Sequence, residues 1–218
     1  MPESTMIAEL RHIVVEAGRQ MSGLGLVAGT WGNISMRNSV AGPIAITPSG
    51  RPYNEISASD IVILDNEGQV IEGKKPSSET PLHLAIYNAR PDVRGIVHTH
   101  SLYATACAVA GVSIPPCLEE LVQAVGGGVE VAAYALPGTT ALADAVVSAL
   151  SDRSAALMSN HGVVACGPTL REALLVAQLV EKAAHIHTIA TQLGVIRRLS
   201  DEDICLMRNF YREKYMQR

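Results

Sequence analysis

The chain has 218 residues, a length that predicts one domain spanning residues 1–218 with a core of its own. Hydrophobic residues make up 48% of it and charged residues only 17%, which indicates that some apolar surface is buried between subunits. The net charge of -4 and the scattered lysines and arginines exclude a basic surface that binds nucleic acid or a membrane, so we expect a small molecule as the partner.

The cysteines and the N-terminal segment indicate the cellular compartment. Cys107, Cys117, Cys166 and Cys205 are far apart and form no C-x-x-C pair, a pattern typical of reduced thiols. The first twelve residues contain acidic residues and a histidine before any apolar run, which is not typical of a secretory signal. No apolar stretch reaches the roughly 18 residues of a membrane span. We therefore expect a cytoplasmic protein without disulfides.

The N-terminal half is predicted to begin with a helix and continue with strands. Residues 6–24 have apolar side chains at helical spacing and end in two glycines, which predicts an amphipathic helix. Three short apolar runs with turn residues follow, at 29–37, 43–53 and 60–73, and these predict strands and hairpins. The segment 75–93 begins Lys-Pro-Ser-Ser-Glu and has Pro81 in its first turn, a pattern that predicts the start of a helix.

Helices and strands alternate in the C-terminal half. Strands are predicted at 94–100 and 129–138 and as a pair within 155–167, and helices are predicted at 101–111, 141–151 and 169–194. The last helix of this set begins at an N-cap Thr169, and a short capped helix with an aromatic, basic tail follows it. The alternation, with several strands arriving by hairpins, predicts an α/β/α sandwich around a mixed, largely antiparallel sheet.

Three histidines follow apolar strands. His98 and His100 are two residues apart at the end of a strand, so both side chains lie on one face, roughly 6 to 7 Å apart along the chain. Taken alone, the pair could equally be two surface histidines that close a strand. His161 also follows an apolar strand, on a tight turn before Gly162. Three imidazoles with an open fourth position suit catalytic zinc, while other late first-row ions are also accepted.

Glu79 lies at the start of a predicted helix, where unpaired N–H groups favour a negative charge. Its alternative role is that of a capping-box glutamate. The preceding Ser77 and Ser78, with free backbone amides, predict a phosphate site, and the small-residue turns 29–35 and 47–50 offer further N–H groups. A metal site, a phosphate site and a carboxylate together indicate an enzyme that acts beside the carbonyl of a phosphorylated sugar.

Five motifs occur along the chain, namely GTWGNIS, ITPSG, KPSSETPLH, GIVHTHS and SNHGVVACG. These motifs and the spacing between them resemble the class II aldolase and adducin-head family over about residues 6–195. The resemblance implies a homotetramer with active sites at subunit interfaces, and Zn²⁺, or else Mn²⁺ or Co²⁺, held by His98, His100 and His161 with Glu79. It also implies a phosphate site formed by a set of small residues, namely Gly32, Asn33, Ser49, Gly50, Ser77 and Ser78.

Position 79 decides between activities within the family. The aldolases have glutamate there and the related pentulose-phosphate 4-epimerase has aspartate, so Glu79 favours an aldolase. The resemblance implies cleavage of a ketose 1-phosphate like L-fuculose 1-phosphate to dihydroxyacetone phosphate and a short aldehyde, with Glu79 as the acid/base. The alternatives are the epimerase, a methylthioribulose-1-phosphate dehydratase or aldolase, and a non-catalytic interaction domain like the adducin head.

One departure from the family pattern concerns its tyrosines. Where the aldolases supply a tyrosine from a neighbouring subunit, this chain has the region of Glu120 and no tyrosine nearby. Tyr211 and Tyr215 are candidates for a second, C-terminal tyrosine, and we assign the role to Tyr215, on a tail (about 200–218) expected to reach the subunit interface. His83, one helical turn after Glu79, is interpreted as a helix-face residue and not as a metal ligand.

Overall fold

A computed structural model describes residues 3–214 of the chain. Seven α-helices lie within the described residues: α1 (Glu3–Gly23), α2 (Thr80–Ala89), α3 (Leu102–Ala110), α4 (Glu119–Val125), α5 (Thr140–Leu150), α6 (Leu170–Leu193) and α7 (Asp201–Lys214). The strands in the same part of the chain are β1 (Asn33–Arg37), β2 (Ile44–Ile46), β3 (Val62–Leu64), β4 (Val70–Glu72), β5 (Gly95–Thr99), β6 (Val131–Ala132), β7 (Ala155–Met158) and β8 (Gly162–Gly167).

The strands form one sheet in the order β4-β3-β2-β1-β5-β8-β7-β6. Neighbouring strands are antiparallel except β6 and β7, which are parallel. At the centre, β1 pairs with β5 so that Asn33 lies opposite His98. The predicted mixed, largely antiparallel sheet is therefore confirmed.

Two hydrophobic cores, one on each face of the sheet, follow from the alternation of side chains along its strands. On β5, Val97 packs into the core formed with α1, α3, α4 and α6, whereas Ile96 packs into the core formed with α2 and α5. On β8, Val163 and Val164 divide between the same two cores. Helices thus cover both faces, as the predicted α/β/α sandwich requires.

Three elements differ from their predictions. The helix α4 has no counterpart among the predicted elements, because its N-cap is Leu118, which makes no side-chain cap hydrogen bond and gives no sequence signal. The strand predicted over 129–138 is reduced to two residues at the edge of the sheet. The C-terminal helix α7 has 14 residues and is longer than expected.

The long helices α1 and α6 lie against the sheet with one apolar side each. Their buried residues belong to the same core. Polar side chains occupy most of their outer surfaces, and α6 also exposes Leu175, Ile189 and Leu193. Among the described residues, no helix has the length and apolar character needed to cross a membrane.

Candidate functional site

His98 and His100 lie at the end of β5, in the middle of the sheet. His98 is completely buried, and its Nδ1–H donates to the carbonyl oxygen of Val163 on β8 at 3.0 Å. In the neutral ring this bond places the proton on Nδ1 and leaves a lone pair on Nε2, the usual arrangement of a histidine that binds a metal. His100 follows the strand, and its ring lies 5.6 Å from that of Trp31, measured between centroids.

His161 is placed by the hairpin turn between β7 and β8. The turn spans residues 159–161, and Asn160 adopts a left-handed conformation with φ of 56°. Gly162 closes the turn against β5, where a side-chain Cβ would collide with the carbonyl oxygen of Thr99. The turn therefore brings His161 to the same end of the sheet as His98 and His100.

The three imidazoles converge. One nitrogen from each ring lies within 4.8 Å of the corresponding nitrogens of the other two, and the ring centroids are 4.7 to 4.9 Å apart. Nε2 of His98 and Nε2 of His100 are 2.9 Å apart. Lone pairs of three neutral rings directed at one point are the donor set of a divalent cation site with an open coordination position. The cluster is consistent with such a site.

Glu79 lies beside this cluster and is almost completely buried. It is the N-cap residue of α2, but its side chain makes no cap hydrogen bond, so the capping-box alternative is wrong. Instead Oε2 is 3.0 Å from Nε2 of His98, and Oε1 is 3.5 Å from Nε2 of His161. Among the described residues, Oε1 is a buried oxygen with no hydrogen-bond partner. A cation between the carboxylate and the rings would satisfy that oxygen.

The electrostatics of the cluster keep the carboxylate of Glu79 ionised and the partly buried rings of His100 and His161 neutral. Burial opposes the charge of Glu79, but the adjacent His98 and His161 and the amide of Asn33 hold the pKa of Glu79 well below its ordinary value. Burial, with His98 close by, lowers the pKa of His100 to about 4. Burial likewise lowers the pKa of His161. Burial opposes a charge on His98, but the adjacent Glu79 carboxylate raises the pKa of His98. The ionised carboxylate and the two neutral rings are in the protonation state that binds a divalent metal, and a metal bound at His98 would displace the proton of that ring.

The turns predicted to hold phosphate meet beside Glu79. The amide of Ser77 donates to the carbonyl of Thr47, and the amide of Ser49 donates to the carbonyl of Lys75. These two bonds join the turn 47–50 to the segment that leads into α2. Within the described part of the chain, the amides of Gly50 and Ser78 donate no hydrogen bond and remain available to an anion. The third turn contains Gly32, which has φ of 77° and lies against the carbonyl of His98.

One cavity of about 620 Å³ contains nearly all of these groups. Its lining includes every predicted phosphate residue together with Glu79, His100 and His161, while His98 lies buried behind them. Tyr134, Pro137 and Asn160 were not among the predicted site residues. These lining residues come from the segment after β6 and from the β7–β8 turn.

Within the described part of the chain, none of the residues considered for the tyrosine roles lines this cavity. Tyr215 lies outside the described residues, and its catalytic role stays a prediction. Tyr211 is on α7, away from the cavity lining. Glu120 is on α4, where it accepts a hydrogen bond from Lys182 at 2.5 Å on the surface.

His83 is the site residue whose role the sequence did not indicate. It is not one of the three clustered histidines, but it is 1% exposed, and its ring contacts Asn33 and Ser35 on β1. The sequence feature that could have indicated this role is the four-residue spacing of Glu79, His83 and Tyr87, which places three polar side chains on one face of α2.

Similarity to known proteins agrees with this geometry. The chain is 38% identical over 200 residues to the 5-deoxy-D-ribulose 1-phosphate aldolase of Bacillus thuringiensis, covering 91% of this chain and 93% of the relative. It is 37% identical over 200 residues to the L-fuculose phosphate aldolase of Escherichia coli K12, covering 91% and 92%. A solved structure of an L-fuculose 1-phosphate aldolase superposes with a TM-score of 0.90 at 35% identity, covering 94% of this chain and 96% of that one.

The family assignment rests on most of the chain. Residues 12–188 match the Class II Aldolase and Adducin N-terminal domain. The matched region includes the three histidines, Glu79 and all the turns that line the cavity. The chain therefore belongs to the class II aldolase and adducin N-terminal domain family.

Proposed function

We propose that this class II aldolase, a lyase, uses zinc to cleave a ketose 1-phosphate of the L-fuculose 1-phosphate type into dihydroxyacetone phosphate and a short aldehyde. The observation that carries the proposal is the position of Glu79. Its carboxylate is within 3.5 Å of ring nitrogens of both His98 and His161, and its backbone directly follows Ser77 and Ser78. One residue thus connects a metal site, an acid/base and a phosphate cradle within a single cavity.

The metal ligands that we propose are His98, His100 and His161, with Glu79 beside them. Three imidazoles suit zinc, and manganese or cobalt can replace it in such a donor set. A cation held there would act as a Lewis acid on the carbonyl of the ketose and stabilise the negative charge of an enediolate.

The other side chains of the cavity bind the phosphate group and transfer the proton. The hydroxyls and free amides of the two phosphate turns, with the N-terminal end of α2, bind the phosphate dianion and fix the position of the sugar. When the C3–C4 bond breaks, the electron pair stays on C3, and the C4 hydroxyl releases its proton to solvent as it becomes an aldehyde. The Glu79 carboxylate takes up a proton from solvent and delivers it to C3, and in the direction of synthesis it removes that proton again.

A coupled assay on several ketose 1-phosphates tests this function. L-fuculose 1-phosphate would release lactaldehyde, whereas 5-deoxyribulose 1-phosphate would release acetaldehyde, and both would release dihydroxyacetone phosphate. We expect triose phosphate from L-fuculose 1-phosphate, measured with glycerol-3-phosphate dehydrogenase, and a much slower release from a Glu79→Gln preparation. Preferential cleavage of 5-deoxyribulose, ribulose or methylthioribulose 1-phosphate would reassign the substrate. No triose phosphate from any of these compounds would contradict an aldolase.

The alternatives share the fold and predict other results. A pentulose-phosphate epimerase or a methylthioribulose-1-phosphate dehydratase would convert its substrate without forming triose phosphate. A non-catalytic interaction domain would have no reason to keep three converging imidazoles and a buried, ionised glutamate. The polar site therefore supports an enzyme over a binding module.

We further propose a homotetramer with active sites at its interfaces, formed by one domain per chain with the C-terminal tail at an interface. Large apolar side chains are exposed around the cavity, with Trp31 at 65%, Tyr134 at 62% and Leu136 at 64%. Exposed apolar groups of this size beside a polar cavity are typical of a surface covered by another subunit.

A further inference from the structure

The strand β1 and the helix α2 face each other with two rows of polar side chains. Positions two apart on a strand share a face, and positions four apart on a helix do so as well. These rows meet in a region with almost no exposure to solvent. The strand row is Asn33, Ser35 and Arg37, and the helix row is Glu79, His83 and Tyr87.

Hydrogen bonds connect the rows in an unbroken chain that ends on the acid/base. Nδ2 of Asn33 donates to Oε2 of Glu79 at 2.8 Å, and Oδ1 of Asn33 is 2.5 Å from Nε2 of His83. On the other side of the ring, Nδ1 of His83 is 2.6 Å from the hydroxyl of Ser35. That hydroxyl is 2.8 Å from the hydroxyl of Tyr87.

The direction of each bond follows from the inventory of donors and acceptors. An ionised Glu79 can only accept, so the NH₂ group of Asn33 must face it and the carbonyl of Asn33 must face His83. His83 therefore carries its proton on Nε2 and accepts at Nδ1 from Ser35. The hydroxyl of Ser35, having donated to the ring, accepts from Tyr87.

The environment of His83 agrees with a neutral ring in a single tautomer. Burial lowers the pKa of His83 to about 3, so the ring stays neutral at ordinary pH. Arg37 holds the far end of the chain in place, because its guanidinium lies 4.5 Å above the ring of Tyr87 and donates to the carbonyl of Tyr87 at 3.1 Å.

We propose that His83 is a positioning residue for the acid/base: its Nε2–H holds the carbonyl of Asn33, so that the NH₂ group of Asn33 donates to the carboxylate of Glu79. Without this bond the amide can turn over and bring its carbonyl oxygen against the carboxylate, which repels it and displaces it from the histidines. His83 itself touches neither the reacting atoms nor the three clustered histidines. The inference rests on the proposed function, in which Glu79 transfers the proton.

The activity test uses His83→Leu and His83→Gln in the full chain, with L-fuculose 1-phosphate or 5-deoxyribulose 1-phosphate, whichever the wild-type protein cleaves. Loss of the donor in His83→Leu is expected to lower kcat by about 10- to 100-fold, the usual effect of removing an outer partner of a metal-site group. KM should change by less than about threefold. A glutamine amide can both donate to Asn33 and accept from Ser35, so His83→Gln should recover most of the lost kcat.

A double-mutant cycle separates positioning from a general structural effect. If His83 acts through Asn33, adding His83→Leu to Asn33→Ala should cause no further loss of kcat. Losses that multiply in the double variant, or a His83→Gln protein as slow as His83→Leu, would overturn the proposal. Metal content and unfolding temperature measured on every variant exclude losses from an unfolded or metal-free preparation.

A readout independent of catalysis is the tautomer of His83 in the wild-type protein. Long-range ¹H–¹⁵N correlation spectra of histidine-labelled protein, assigned with His83→Gln, should show a neutral ring protonated at Nε2. A ring protonated at Nδ1, or a charged ring at pH 7, would overturn the assignment. If the wild-type protein cleaves no ketose phosphate, the proposed function fails while this measurement still tests the placement of His83.

Discussion

The cavity has a buried floor and an exposed rim, and the two parts are held in place differently. The floor is formed by Asn33, Glu79 and His98, and the rim by the exposed side chains of Trp31, Tyr134 and Leu136. On the floor, Asn33, Glu79 and His98 are at most 5% exposed, and hydrogen bonds within one chain determine the orientation of each side chain. On the rim, Trp31 and Tyr134 are more than 60% exposed. In the proposed enzyme, a single chain therefore supplies the groups for proton transfer and metal binding, and in the proposed tetramer a neighbouring subunit covers the exposed rim.

Glu79→Gln tests the floor and has the largest expected effect. The substitution keeps the size of the side chain and one oxygen that can accept from Asn33, but it removes the negative charge and the proton acceptor, so kcat should fall by about 10²- to 10⁴-fold. Metal content and oligomeric state should match the wild-type protein. Steady-state kinetics with the coupled assay measure the loss, and near-normal turnover would assign the acid/base to another residue.

Ser78→Asp tests the phosphate cradle at the edge of the floor. A negative charge at this cavity-lining position repels the phosphate dianion, so KM should rise by about 10- to 100-fold with a smaller change in kcat. Ser39→Asp, an exposed serine outside the cavity lining, is the matched control and should leave KM unchanged. Equal KM values for the two variants would remove Ser78 from the phosphate site.

The buried polar floor also predicts a dependence of stability on pH. The unfolded chain takes up a proton at His83 near its ordinary pKa of 6.5, whereas the folded chain keeps the ring neutral down to about pH 3. This contribution to stability is therefore complete above pH 6.5 and is lost as the pH falls below it, by about 1.4 kcal/mol per pH unit.

Urea unfolding at pH 7 and pH 5 measures this contribution. Relative to wild-type protein, His83→Gln should lose less of its free energy of unfolding between the two pH values. His12→Gln, at an exposed position on α1, should behave like wild type. Equal losses for all three proteins would contradict a neutral, buried His83.

Leu136→Glu tests the rim and has the smallest expected effect on the chemistry. A charge on this exposed apolar side chain should weaken the proposed tetramer and produce smaller species in light scattering at low protein concentration. Leu136→Met keeps the position apolar and should preserve the tetramer. A tetramer unaffected by the charge would place Leu136 outside the subunit interface.

The sequence patterns predicted more of the residues of the floor than of the rim. The pairing of His98 with His100 follows from the two-residue repeat of a strand, and a histidine on a hairpin turn is recognisable from Asn-His-Gly. The role of His83 requires knowing that β1 lies opposite α2, a contact between residues about 50 positions apart. The cavity residue Tyr134 was assigned to a strand, because its segment has the alternating pattern of one although the structure ends β6 at Ala132.

The most direct test of the account is the metal content of the purified protein, measured by elemental analysis together with that of His161→Ala. We predict about one equivalent of a divalent metal per chain in wild-type protein, and loss of that metal with all activity in His161→Ala. Unchanged metal content in the variant would show that the three imidazoles do not share one ion, and would contradict the proposed active site.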